Sequence, residues 1–338
     1  MSDRSTRFGE DPVSTTSPDD ASLVVGLDIG GTNIRLVVAN LQGRVLARMS
    51  QAIGVASTPQ QIVVAVKTYI RKLFEETGLP ITQLKAIGAG VPGITNLDTG
   101  VVKAAPFLSE WKDVPFRAML EEQLHVPAVV ENDVNLAALG EATAGNARGE
   151  KDFIFLAIGT GFGAGIMLRG KLHHGADWAA GEVGYLRLCG GSEAIDDDIG
   201  PLESLIGGPA IERAWRHLSA GTAYSMELSA TDVFELAQTG VVPAVDLLEQ
   251  TASLLSTAIF NISLVLNCPL FVLGGGVGSS EVLQRAIAKR LRLSKNLVNP
   301  RIEISSLGQD AQLIGAVKLA LDMLDTSDAL VLHSTSRH

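Results

Sequence analysis

One device occurs twice in this chain and leaves few folds open to it: an apolar run, a turn built on glycine and threonine, and a second apolar run. In its first appearance Leu27-Asp28-Ile29-Gly30-Gly31-Thr32-Asn33-Ile34-Arg35 joins residues 24–29 to residues 34–39. In its second, residues 153–158 pass through Gly159-Thr160-Gly161-Phe162-Gly163-Ala164-Gly165 to residues 166–168. Short apolar runs bounded by turn residues predict buried strands closed into hairpins. Glycines at a hairpin tip let backbone N–H groups approach an anion and take up positive φ, and the Thr32 hydroxyl adds a donor. Asp28 stands where a carboxylate could hold the metal that accompanies phosphates. Taken alone, the first hairpin reads equally well as a plain turn. Its repetition predicts two related halves that could grip one polyphosphate from both sides.

Between and beyond the hairpins the chain alternates strands and helices, which predicts α/β layering. Residues 1–22 are rich in Ser, Thr, Asp and Pro, and predict a disordered tail with no room for a helix-turn-helix domain. A third strand is expected at 45–49. Thr58-Pro59-Gln60-Gln61 then supplies an N-cap, a first-turn proline and a capping-box glutamine for a helix whose apolar face is Val63, Val66, Ile70, Leu73 and Phe74, closed by Gly78. A strand at 84–91 ends in Pro92-Gly93. A helix at 115–124 and a strand at 128–130 lead into Glu131-Asn132-Asp133 and a helix to residue 144. Asp133 therefore sits at the carboxyl end of a strand, the edge where open α/β sheets bind ligands; taken in isolation, an Asn-Asp there reads first as a helix cap.

Helices are expected at 231–237 and 243–266, the second with Leu247, Leu254, Ala258, Ile262 and Leu266 on an apolar stripe. A strand at 270–273 ends in Gly274-Gly275-Gly276-Val277-Gly278, a floor bare enough for a flat base or ribose. A last helix, 310–323, carries Gly315 inside it, where close packing or ligand approach explains the missing side chain. The acidic run Asp196-Asp197-Asp198 reads as a solvated loop, and the residues from Thr326 as frayed.

The 338 residues fit two domains or one large α/β unit, and a formal net charge of −10 argues against a nucleic-acid surface. Cys189 and Cys268 cannot build a disulfide framework, and no apolar stretch reaches membrane-spanning length or reads as a signal peptide. A cytoplasmic protein with no membrane and no nucleic-acid partner is expected.

With these pieces in order, residues 23–324 resemble the ROK family of sugar kinases and sugar-responsive repressors. Asp28-Ile29-Gly30-Gly31-Thr32 and Ile158-Gly159-Thr160-Gly161 resemble its two phosphate motifs, Glu131-Asn132-Asp133 its catalytic segment and Gly274-Gly275-Gly276-Val277 its adenosine motif. Gly181-Glu182-Val183-Gly184 and Gly200-Pro201-Leu202-Glu203 match the two ends of its sugar-loop signature.

The resemblance implies a two-lobed actin-like (ribonuclease H-like) ATPase fold with an interlobe cleft. Residues 23–133 and 309–325 would form the small lobe, 134–308 the large lobe, and 326–338 a frayed tail. It implies an ATP-dependent, glucokinase-like hexose kinase with glucose as first substrate. Asp133 would be the general base, and Gly30, Gly31, Thr32, Gly159, Thr160, Gly161, Gly274, Gly275 and Gly276 would bind ATP. Asp28 would hold Mg2+ through water, and Gly93, Asn132, Asp133, Glu182, Tyr185 and Glu203 would bind the sugar. A homodimer or homotetramer is the family habit.

The chain also departs from the family. Tyr185 stands in place of a histidine that elsewhere joins a cysteine cluster around zinc, and only Cys189 lies in that region, so no zinc is predicted. Phe107 replaces a common asparagine. Both changes open the choice of hexose to N-acetylated or epimeric sugars. The competing reading is a sugar sensor without turnover.

Overall fold

The apolar run at the head of the first hairpin becomes β1 (Leu23–Ile29), buried at every position. Burial at every position means the sheet is covered on both faces. The computed structural model describes residues 22–53, 58–105, 110–188, 199–293 and 298–335, so the expectations for residues 1–21, Phe107, Cys189 and Asp196–Asp198 lie outside the described residues.

β1 pairs antiparallel with β2 (Asn33–Asn40), which pairs with β3 (Val45–Ala52), an edge strand of alternating partial exposure. The chain then enters α1 (Pro59–Thr77), where the capping box forms as its residues predict: Gln61 N donates to Thr58 Oγ1 (3.4 Å) and Thr58 N to Gln61 Oε1 (2.9 Å). Gly78 closes the helix at φ 70°, the left-handed conformation glycine adopts without strain. All five expected apolar residues of α1 are buried.

β4 (Leu84–Val91) runs parallel to β1, and a small antiparallel sheet follows in β5 (Ile94–Asn96), β6 (Val101–Ala104) and β7 (Lys112–Val114). After α2 (Phe116–Leu124), β8 (Ala128–Asn132) adds parallel to β4 and feeds α3 (Asp133–Ala144). The first main sheet is thus ordered β3-β2-β1-β4-β8.

The second half repeats this plan. β9 (Phe153–Ile158) and β10 (Phe162–Leu168) make the second hairpin, with the short β11 (Lys171–Leu172) at its edge. Helices α4 (Glu203–Ile206), α5 (Gly208–Ser219), α6 (Ala230–Ala237) and α7 (Val242–Leu266) precede β12 (Leu270–Gly274). A single turn, α8 (Gly275–Gly278), then α9 (Glu281–Leu293) and β13 (Arg301–Ile304), complete the order β11-β10-β9-β12-β13. Strand for strand, the senses match those of the first sheet.

Two expectations are corrected here. On the α7 stripe, Leu247 and Ala258 are buried, whereas Leu254, Ile262 and Leu266 are only partly buried. The core face runs instead through Leu255, Ile259 and Ser263, one residue along from the expected row and so about 100° further round a helix of 3.6 residues per turn. The last helix, α10 (Ala311–Thr335), continues past Thr326, where fraying was expected.

α10 returns to the first lobe. It covers the face of β1 that carries Val24, and on that face a Cβ at Gly26 would lie 2.8 Å from Leu313 O. A Cβ at Gly315 would overlap Leu136 O, and one at Gly140 would overlap Ala311 O, so α3 and α10 meet backbone to backbone. On its other side α3 presses on β10, where a Cβ at Gly165 would lie 2.6 Å from Val134 O. The helix that begins with Asp133 is therefore wedged between the two halves of the molecule.

Candidate active site

The two hairpin turns, the start of α3 and the loop after β11 line one cavity of about 580 Å3. It brings together Gly30, Gly31, Thr32, Gly93, Asn132, Asp133, Gly159, Thr160, Gly161, Glu182, Tyr185, Glu203 and Gly275. Asp28, Gly274 and Gly276 are not among its lining residues. A groove of about 570 Å3 beside α1 and α2 is lined by none of the expected site residues.

The hairpin turns use their glycines differently from the sequence expectation. None of Gly30, Gly31, Gly159 and Gly161 has positive φ; of the cavity glycines on the expected ATP side, Gly275 does, at 81°. A Cβ at Gly31 would meet nothing within 4 Å, and one at Gly159 only Gly276 N at 3.8 Å, so both turns border open space. Gly30 N donates to Asn33 O (2.9 Å) and Gly159 N to Gly161 O (3.0 Å). The first amide of each turn is thus committed to holding the turn, whereas those of Gly31, Thr32, Thr160 and Gly161 make no such turn bond among the described residues.

Asn132 and Asp133 divide the work of a helix start. Asn132 is the N-cap, its Oδ1 accepting from Val134 N (2.9 Å) and Asn135 N (3.0 Å), while its Nδ2 donates to Gly93 O (3.0 Å). Asp133 is therefore relieved of the capping role. Its carboxyl is pushed up to about 7, first by burial and next by the Asp28 carboxylate, although Val134 N donates to Oδ1 (2.9 Å).

Asp28 is held by Arg35, whose Nε and Nη2 both donate to Oδ2 (2.8 and 2.5 Å) while Nη1 donates to Gln309 O (2.6 Å) ahead of α10. Burial raises the Asp28 carboxyl despite Arg35. The donor set suits a hydrated Mg2+. Arg35 occupies Oδ2 alone, and the negative charge that Asp28 imposes on Asp133 is the kind a cation relieves. Among the described residues no three His, Cys, Asp or Glu side chains form a metal-binding group.

The sugar-loop signature folds as it does because its glycines allow contact. A Cβ at Gly181, where φ is 100°, would overlap Ala164 O, and one at Gly200 would overlap Gly184 O. Leu202 N donates to Gly184 O (3.0 Å), which joins the two ends of the signature. Phe162 N donates to Glu203 Oε2 (2.8 Å), tying the signature to the second hairpin. Burial raises both Glu182 and Glu203, and the Glu203 charge raises Glu182 further.

Four residues in or behind the cavity wall are given no individual role by the sequence reading. Glu131 is completely buried; its Oε1 accepts from Asn132 N (2.7 Å) and Asn135 Nδ2 (3.0 Å), and its Oε2 lies 2.6 Å from His174 Nε2. Burial opposes charge on His174, but the bond to Glu131 and its charge leave the imidazole raised overall. A carboxylate inside an apolar strand demands a partner, and that was the available signal. Trp178 and Gln312 line the cavity, and Gln312 Oε1 is buried with no partner among the described residues.

Two halves of like topology, each offering a glycine turn to a shared cleft, define the two-lobed actin-like fold of sugar kinases. Residues 24–323 match the ROK family, and the chain belongs to it. A glucokinase of Halalkalibacterium halodurans is 29% identical over 86% of this chain and 92% of its own. An N-acetyl-D-glucosamine kinase of Pasteurella multocida is 31% identical over 88% and 98%. A xylose repressor of Caldicellulosiruptor bescii is 25% identical over 94% and 82%. The crystal structure of a ROK family glucokinase from Streptomyces griseus, in complex with glucose and AMPPNP, superposes with a TM-score of 0.75 at 27% identity, over 88% of this chain and 99% of that one.

Proposed function

We propose that this protein is an ATP-dependent hexose kinase that phosphorylates the primary 6-hydroxyl of its sugar, with glucose as first substrate. The observation that carries the reading is Asp133: half-buried in the cleft wall, free of the capping role and raised to about 7. A base of that strength is half ionised near neutral pH, where proton transfer in both directions is easy. Phosphoryl transfer asks the protein chiefly for placement and charge relief. The hexose O6–H gives its proton to the Asp133 carboxylate as O6 bonds to the γ-phosphorus. The bond from that phosphorus to the β–γ bridging oxygen breaks, and ADP leaves with the electron pair.

In this reading the amides of Gly31, Thr32, Thr160 and Gly161 hold the β- and γ-phosphates, and the bare backbone of Gly274, Gly275 and Gly276 lies beneath the adenosine. Mg2+, held through water by Asp28, would supply charge neutralisation on the phosphates. Glu182, Glu203 and the remaining N–H of Asn132 bind ring hydroxyls, with Gly93 and Tyr185 completing the acceptor side.

The repressor relative favours a second reading, a sugar sensor that binds without turnover. An ADP-release assay over glucose, mannose and N-acetylglucosamine separates the two. Turnover with any of them supports the kinase; calorimetric sugar binding with no turnover on any of them overturns it.

A further inference from the structure

Trp178 is the least expected residue in the cavity wall. It holds a left-handed backbone at φ 67°, a conformation that is strained for a bulky side chain. Glycine would sit there without strain, so the fold alone gives no reason for an indole. Yet Trp178 lines the same cavity as Glu182, Tyr185 and Asp133. Its orientation is fixed from behind. The ring lies against the His174 imidazole, with centroids 5.3 Å apart and planes at 55°. His174 is in turn bound to Glu131, and His174 O accepts from Ala180 N (3.1 Å), which closes the loop that carries Trp178.

We propose that Trp178 is a specificity-determining residue for the acceptor: its indole packs against the C–H face of the bound hexose, and the Glu131–His174 pair positions it. A pyranose has polar edges and a face of C–H groups. The edges suit Asn132, Glu182 and Glu203, whereas the face, with its weakly positive hydrogens, suits the negative face of an indole. Glu131 links this wall to the reaction centre, since the same carboxylate accepts from Asn132 N next to Asp133. His174 is a positioning residue that acts through Trp178. This assignment rests on the hexose kinase reading and names how that site chooses its sugar.

Binding can be read without turnover. The chain has three tryptophans, and Trp111 and Trp215 are 2% and 0% exposed, so Trp178 is the one at the cleft. Titrating glucose into the wild-type protein without ATP is expected to change the tryptophan emission. Trp178→Gly, which relieves the backbone strain and so leaves the fold intact, is expected to lose that change and to weaken glucose binding by calorimetry at least about tenfold, equivalent to roughly 1.4 kcal/mol. KM for ATP is expected to stay within about twofold in this variant. Trp178→Phe keeps a ring and recovers part of the affinity, and His174→Gln raises KM for glucose while leaving KM for ATP unchanged. Equal glucose affinity in wild type and Trp178→Gly overturns the assignment and leaves the kinase reading standing. A wild-type protein that neither binds nor phosphorylates any hexose of the panel overturns both.

Discussion

Asp133 carries a charge state that its neighbours set, and two measurements follow from it. With the carboxyl raised to about 7, kcat/KM for the hexose is expected to climb with pH through that value and level off above it. Asp133→Asn is expected to remove the climb and lower kcat by roughly two to four powers of ten while ATP affinity holds; activity within a few-fold of wild type would take Asp133 out of the base role. Stability moves the other way. Between its ordinary value of 3.8 and about 7 the folded protein keeps this proton while the unfolded chain has lost it. The stability associated with the protonated group is therefore complete below 3.8 and is lost as pH rises through 7. Asp133→Asn should accordingly melt higher than wild type at pH 8 and alike at acid pH, as calorimetry would show. At Asp28, substitution to Asn is expected to raise the Mg2+ concentration needed for half-maximal turnover; an unchanged requirement would remove Asp28 from the metal.

Single elements carry the next set of consequences, and the α3–α10 crossing is the most exacting. Gly315 was legible as a site of close packing or ligand approach because a glycine inside a helix needs a reason. Its partner Gly140 was legible only as a glycine near a helix end, since the partner surface lies far along the chain. Gly315→Ala forces a methyl group into Leu136 O, and overpacking of this kind costs about 1–3 kcal/mol. A melting temperature lowered by several degrees is the expected outcome, with kcat also reduced because α3 begins at Asp133; an unchanged melting temperature would show that the crossing can relax. α1 makes the contrasting case. Its cap, proline, apolar face and closing glycine are all local signals, and every one of them forms.

For the whole molecule, the repeated hairpin was the feature that reached furthest. It predicted two related halves, which two sheets of matching strand order make, and the helix from the end of the chain returns to pack on the first of them. Among the described residues no helix is long and apolar enough to cross a membrane. Strands, hairpins, capped helices and glycine turns were determined by the sequence, because periodicity, capping and turn chemistry act over a few neighbouring residues. The folded arrangement alone decided which turn amides stay free, that Asn132 and not Asp133 caps α3, and that His174 reaches Glu131 across 43 residues of chain. It also decided the charge state of Asp133. Hydrogen-bond competition, burial and the field of a distant carboxylate depend on separation in space, and a sequence records separation only along the chain.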